Sequence, residues 1–191
     1  VKGKLFSCQE NYFMLYFSQS IQRKTADRKC TMAIIREYQK QDVPALTEIW
    51  NTIIEEGNTF PQTDFLISEQ AEEFFAQQSF TAVAEEDGEV VGLYILHPNN
   101  VGRCGHQANA GYMIRPSARG KGIGELLVKH SLEKSKALGF QLLQFNAVVK
   151  SNVHAIHLYR RLGFIEIGTV PRGFLMKDGT YQDIVLFYHT L

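Results

Sequence analysis

The sequence is poor in the features that mark several large classes of protein. Its three cysteines, Cys8, Cys30 and Cys104, are too scattered for a disulfide framework, and none belongs to a C-x-x-C pair. No apolar run approaches the roughly 20 residues that a transmembrane helix needs. Neither sign of charge is in excess, since 20 Lys+Arg meet 20 Asp+Glu. This balance lacks both the polybasic composition that binds nucleic-acid phosphates and the charge bias of disordered chains. A secretory leader, with its apolar core and small-residue cleavage site, is not evident either. What is there is ordinary for a globular domain: 191 residues, 45% hydrophobic and 21% charged. The expectation is one domain in a reducing, cytoplasmic compartment, with neither a membrane nor a nucleic acid as partner.

The charge balance is a composite. Residues 1–31 hold six bases (Lys2, Lys4, Arg23, Lys24, Arg28, Lys29) and two acids (Glu10, Asp27), a net of +4. The other 160 residues hold 14 bases and 18 acids, a net of −4. The first segment has no helical periodicity, whereas Met32 stands directly before a clean strand pattern. Residues 1–31 are therefore expected to be an N-terminal extension, and 32–191 the functional domain. The alternative is a true arm that buries the aromatics between Tyr12 and Phe17.

Periodicity then gives an element order. Ala33–Tyr38 reads as a strand. Asp42 is expected to cap a helix that has Pro44 in its first turn, its apolar face on Leu46, Ile49, Trp50, Ile53 and Ile54, and Gly57 at its end. Ser68 is expected to cap a second helix. A hairpin follows through Asp87-Gly88, then a strand at Ala108–Ile114 and a long helix at Gly122–Leu138. A strand (Phe140–Val149), a helix (Asn152–Leu162) and strands at Phe164–Val170 and Tyr181–His189 complete the order β-α-α-β-β-β-α-β-α-β-β. That is an α/β (α+β) fold with a mixed sheet.

The stretch Met113-Ile114-Arg115-Pro116-Ser117-Ala118-Arg119-Gly120-Lys121-Gly122-Ile123-Gly124 joins a strand end to a helix start. Glycines at 120, 122 and 124 let backbone approach a ligand without Cβ interference. The first N–H groups of the helix have no intrahelical partner, and its dipole adds positive potential there. This is an anion site suited to a pyrophosphate, with Arg119 and Lys121 at its rim. It matches neither the Walker pattern nor G-x-G-x-x-G, because Glu125 follows where glycine is required. A glycine-tolerant helix start with no ligand is the plainer alternative.

The pattern Arg119-x-x-Gly122-x-Gly124 after that strand resembles motif A of the GNAT superfamily of acyl-CoA-dependent N-acyltransferases. Asn152-x-x-Ala155-x-x-x-Tyr159-x-x-x-Gly163-Phe164 resembles its motif B, in the expected order and one helix and one strand downstream. The resemblance spans Ala33 to His189. Pro98 to His106, Asn109-Ala110-Gly111-Tyr112, Phe145-Asn146-Ala147-Val148 and Gly168-x-x-Pro171 are similar to the branch of fungal azetidine-2-carboxylate N-acetyltransferases. At Tyr159 the chain matches the wider superfamily, where that branch is expected to carry a tryptophan-like aromatic.

The resemblance implies a twisted, mostly antiparallel sheet with a splay between two parallel central strands, and acetyl-CoA as co-substrate. It implies direct attack of an amine on the thioester in a ternary complex. The cofactor residues are then Met113, Ile114, Arg119, Gly120, Lys121, Gly122, Ile123, Gly124 and Asn152, with backbone N–H near Met113 or Tyr112 polarising the thioester carbonyl. Asn109 and the backbone at Asn146-Ala147 would hold a small amine, an amino acid or an analogue.

Asn152 and Tyr159 lie two helical turns apart on one face. Tyr159 is neutral at pH 7 and suits the donor to the departing thiolate; packing under the cofactor is the alternative. Glu55 and Glu56, at the end of the first helix, are candidate bases. A water relay suffices for an α-amine, and two exposed carboxylates are the plain reading. His154-x-x-His157 and Cys104-x-His106 fit no zinc spacing, so no metal is expected. Paired sheet edges would make the assembly a homodimer. Two other functions remain open: a non-catalytic acyl-CoA sensor, and a protein or peptide N-acetyltransferase, which needs an open groove near 58–67.

Overall fold

The computed structural model of the chain describes residues 33–191. The extension expected over 1–31 and the start expected at Met32 lie outside the described residues. Among these residues one sheet forms from β1 (Ile34–Glu37), β2 (Phe80–Glu86), β3 (Glu89–Pro98), β4 (Gln107–Ile114), β5 (Leu142–Val149), β6 (Ile165–Leu175) and β7 (Tyr181–Thr190). The helices are α1 (Val43–Glu56), α2 (Ser68–Ala76), α3 (Ile123–Ala137) and α4 (Val153–Arg161). Strand order is β1-β2-β3-β4-β5-β7-β6, antiparallel throughout except for the central β4–β5 pair. The expected mixed, mostly antiparallel sheet flanked by helices is the observed one.

Alternation along the central strands sends side chains to two apolar layers. On one face α1 and α2 bury Leu46, Ile49, Trp50, Ile53, Ala71 and Phe75 against Val83, Leu93, Ile95 and Met113. On the other, Ile123, Leu127 and Val128 of α3 and Ile156 of α4 pack on Tyr94, Leu96, Ala110, Phe145 and Phe187. Each large apolar side chain so buried contributes about 1.5–3 kcal/mol. The sheet is thus a shared wall, and whatever parts two of its strands opens a passage between the layers.

Three local expectations are corrected. Asp42 does stand at the N-cap position of α1, but its side chain makes no cap bond: its carboxylate accepts from the Gln39 N–H at 2.7 Å and pairs with Arg36 at 2.7 Å. It closes the short 3-10 turn Lys40–Asp42 ahead of the helix, and the nearby guanidinium competes successfully for its oxygens. Ser68 opens α2 as its first helical residue, behind Ile67 at the cap, and makes no side-chain cap bond. β6 does not stop at Val170. Register shifts between Glu166 and Gly168 and between Val170 and Phe174 restart its pairing with β7 and carry it to Leu175. Such bulges break period-two alternation, and Pro171 is tolerated because β6 is an edge strand.

Candidate active site

β4 and β5 pair only at Gln107↔Leu142 and Ala108↔Leu143. Beyond that point they diverge, so Asn109–Ile114 and Gln144–Val149 border a gap in the middle of the sheet. β5 is irregular there too, with a register shift against β7 between Phe145 and Val148 that spans Asn146-Ala147. Aromatic rings fill the floor of the gap on the α3/α4 side. Tyr112 of β4 meets Phe145 of β5 edge-on at 5.8 Å, and Tyr159 of α4 lies 4.5 Å from Phe145 and 6.5 Å from Tyr112.

The hydrogen-bond direction of β4 decides which backbone donors face this gap. The Arg115 N–H donates to the Val91 carbonyl at 2.8 Å, and the same register pairs Leu93 with Met113. Alternation therefore turns the Met113 N–H toward β3 and the Tyr112 and Ile114 N–H groups toward the gap. The Ile114 carbonyl, which shares that direction, accepts from Arg119 Nε at 3.3 Å. Met113 itself is 1% exposed, its side chain in the α1/α2 core.

A cleft of about 1160 Å³ runs from this gap to the start of α3. Met113, Ile114, Arg119, Gly120, Gly122, Gly124, Asn152 and Tyr159 line it, as does Glu56. At its α3 end Gly120 (φ 77°) and Gly122 (φ 83°) hold left-handed backbone, and a Cβ on either would point into open space. Only glycine adopts this turn without strain. The first bond of α3 runs from the Glu125 N–H to the Gly122 carbonyl at 3.0 Å, so the Ile123 and Gly124 N–H groups lack an intrahelical acceptor. Ile123 offers backbone alone, its side chain being 2% exposed within the core. Lys121 is outside the cleft lining and pairs with Glu86 at 2.7 Å.

Asn152 lines the cleft and caps α4, its Oδ1 accepting from the Ala155 N–H at 3.2 Å, which leaves the Nδ2 group available as a donor. Tyr159 is half-buried. Burial pushes its hydroxyl well above the ordinary tyrosine range, and no hydrogen bond opposes that shift. The Tyr112 hydroxyl is raised likewise, first by burial and then by Tyr159. It is tied at 2.6 Å to Ser131 Oγ, which itself donates to the Val128 carbonyl at 2.8 Å. Tyr112 is therefore the donor in that pair and anchors α3 to β4.

Glu55 and Glu56 are both engaged. Glu55 pairs with Lys177 of the β6–β7 turn and is not part of the cleft wall. Glu56 faces the cleft and accepts from Arg119 Nη2 at 2.8 Å. Asn109 and Asn146 meet on the α1/α2 face of the gap through a third amide: Asn99 Oδ1 accepts from Asn109 Nδ2 at 3.3 Å and from Asn146 Nδ2 at 2.5 Å. Ala147 is half-buried within the β5 irregularity. Phe60 closes this side, its ring so near β4 that a Cβ on Gly111 would sit 2.9 Å from it.

Several residues around the site escape a reading based on motifs. His154, His157, Leu158 and Arg161 turn one face of α4 to the cleft. Their spacing of 0, 3, 4 and 7 is the available signal. Arg161 pairs with Glu125 at 2.5 Å; Lys129 and then Arg161 hold that carboxyl below the usual range. Asn99 and Phe60 lie in loops, where periodicity is silent. Among the described residues no group of three or more His, Cys, Asp or Glu side chains is placed to hold a metal ion, and no helix is long and apolar enough to cross a membrane.

A family model for the acetyltransferase (GNAT) family matches residues 43–164. N-acetyltransferase aca1 of Schizosaccharomyces pombe is 31% identical over 163 residues, covering 75% of this chain and 78% of that protein. The L-methionine sulfoximine/L-methionine sulfone acetyltransferase of Pseudomonas aeruginosa is 30% identical over 149 residues, 73% of this chain and 84% of its own. A GCN5-related N-acetyltransferase from Kribbella flavida superposes with a TM-score of 0.77 at 32% identity, covering 84% of this chain and 98% of that one. Parted parallel strands, a glycine turn at the head of α3 and a family match across both make this chain a member of the acetyltransferase (GNAT) family, an acetyl-CoA-dependent N-acetyltransferase.

Proposed function

We propose that the protein acetylates the amine of a small molecule, an amino acid or an analogue, by direct attack within a ternary complex. The observation that carries this is one cleft holding both a glycine-rich phosphate turn and Tyr159. The similarity to an amino-acid-analogue acetyltransferase supports the substrate class. Acetyl-CoA fits the residues present: open space over Gly120 and Gly122 and unpaired N–H groups at Ile123 and Gly124 suit a pyrophosphate, with Arg119 beside them and Lys121 as an outlying charge. When bound it supplies an activated acetyl thioester.

The roles of this chain follow from chemistry. The gap-facing N–H of Tyr112 or Ile114, next to Met113, donates to the carbonyl oxygen as negative charge develops there. Asn109, Asn146 and Ala147 hold the amine on the α1/α2 side, with Asn99 tying the two amides together. Once the amine has lost a proton, its lone pair forms the C–N bond, and the C–S electron pair leaves with sulfur. A thiol titrating near about 8.5 is then stabilised by roughly 2 kcal/mol on protonation at pH 7. Tyr159, neutral through that range, gives its proton to sulfur, and the second nitrogen proton, acidic once the C–N bond has formed, passes to the phenolate and restores it; the Asn152 amide steadies the sulfur from the same helix face. Glu56 or a water relay takes the amine proton; Glu55, turned to Lys177, helps shape the acceptor end. The setting is cytoplasmic and the assembly a homodimer in this proposal.

Thiol release from acetyl-CoA across a panel of free amino acids, their analogues, polyamines and short peptides tests the reading. Turnover concentrated on amino acids or analogues is expected. Turnover confined to peptides overturns the substrate class, and silence across the panel despite tight CoA binding favours a sensor.

A further inference from the structure

The last turn of α1 carries two carboxylates that go separate ways: Glu55 to Lys177 and Glu56 to Arg119. A carboxylate at a helix C-terminus faces the negative end of the dipole and is unfavourable there without a counter-charge. Glu56 finds its counter-charge in the phosphate turn. Arg119 is 45% exposed and Glu56 25%, both along the same cleft wall. Among the described residues the guanidinium is otherwise held only by Nε on the Ile114 carbonyl at 3.3 Å. The residue beside the phosphate cradle therefore shares its guanidinium with an acid of the same cleft.

We propose that the Glu56–Arg119 pair is a latch that couples cofactor binding to readiness of the acceptor site. The proposal rests on the acetyl-CoA reading above. An anion seated at the Ile123 and Gly124 N–H groups competes with Glu56 for the Arg119 guanidinium. As Arg119 turns to phosphate, Glu56 is left facing the cleft as an uncompensated carboxylate. It then attracts a cationic amine and takes one proton from its ammonium. With the turn empty, the same carboxylate is held by the Arg119 guanidinium and is not free to receive an ammonium. Linkage makes the effect reciprocal: an ammonium drawn to Glu56 frees Arg119 and tightens the cofactor by the same factor.

Calorimetric titration with CoA and with pantetheine, which lacks the phosphates, tests the latch without turnover. An exposed ion pair is worth up to about 1 kcal/mol, so Glu56→Gln is expected to tighten CoA by about two- to fivefold. Pantetheine affinity is expected to stay unchanged. Glu48→Gln, which removes an acid paired to Arg115 at 2.8 Å, neither residue lining the cleft, is expected to leave CoA affinity unchanged. Unchanged or weaker CoA binding by Glu56→Gln overturns the latch, as does equal tightening of pantetheine or equal tightening by Glu48→Gln. Absence of CoA binding by both wild type and variant overturns the acetyl-CoA reading itself, which separates the two failures.

Discussion

The Tyr94 hydroxyl and His130 Nδ1 share a hydrogen bond at 2.8 Å, joining a fully buried residue of β3 to the middle of α3. α3 begins at the phosphate turn, so this bond helps hold the cradle against the sheet. With Nδ1 unprotonated the imidazole accepts from the hydroxyl, and with Nδ1 protonated it donates to the phenolic oxygen. Burial lowers the His130 pKa below its ordinary value, reinforced by Lys134 and opposed by Glu133.

That direction fixes the sign of a pH effect. The unfolded chain takes up the proton near the ordinary value of about 6.5 and the folded chain only below it. Stability from this group is thus complete above that value and lost as pH falls from there through the folded-state pKa. Wild type should show a falling denaturation midpoint between pH 7 and pH 5. His130→Gln keeps an acceptor for Tyr94 without the titration, and its acid limb should be flatter. Parallel curves for the two proteins would remove His130 from the acid response.

Most of the fold is legible because its helices and inner strands repeat at fixed periods. Leu46, Ile49, Trp50, Ile53 and Ile54 predict the buried face of α1, and all five are buried. The turn at Gly120 to Gly124 is legible because backbone geometry dictates residue type there. Asp42 misleads because a capping carboxylate and an ion-pair carboxylate look alike until Arg36 is placed beside it. The Asn99 cluster is hidden for a related reason: residues 99, 109 and 146 meet only through strand pairing and the β4–β5 gap. The engagement of Glu56 by Arg119 joins positions 63 apart, beyond any local pattern.

Tyr159 separates catalysis from binding. Its ring packs against Phe145 at 4.5 Å and Phe164 at 5.5 Å, contacts that phenylalanine preserves. Tyr159→Phe should lower kcat by about 10²-fold, the usual size of a general-acid contribution, with CoA affinity and the denaturation midpoint nearly unchanged. Steady-state kinetics and calorimetry on one preparation check this. An unaltered kcat would take Tyr159 out of the proton path.

Gly111 reports on the acceptor wall. Its missing Cβ makes room for Phe60, whose ring atoms would lie 2.9 Å away, and Phe60 in turn meets Trp50 at 5.8 Å. Gly111→Ala must displace that ring, at a cost of about 1–3 kcal/mol for overpacking. KM for the amine should rise while CoA affinity holds, because Phe60 is on the α1/α2 face. A loss confined to CoA binding would place Phe60 outside the acceptor wall.

Asn109 and Asn146 should fail as a unit. Both donate to the same Asn99 oxygen, so removing either loosens the amide that positions the other. Asn109→Ala alone should mainly raise KM for the amine. In a double-mutant cycle with Asn146→Ala, the combined loss in kcat/KM should fall short of the sum by about 0.5–3 kcal/mol, the range for residues in one hydrogen-bond network. Asn99→Ala should reproduce much of that loss without touching the cofactor cleft, since none of the three amides lines it. Strict additivity of the two single changes would mean that Asn99 does not link them, and an effect of Asn109→Ala on CoA affinity alone would remove these amides from the amine side.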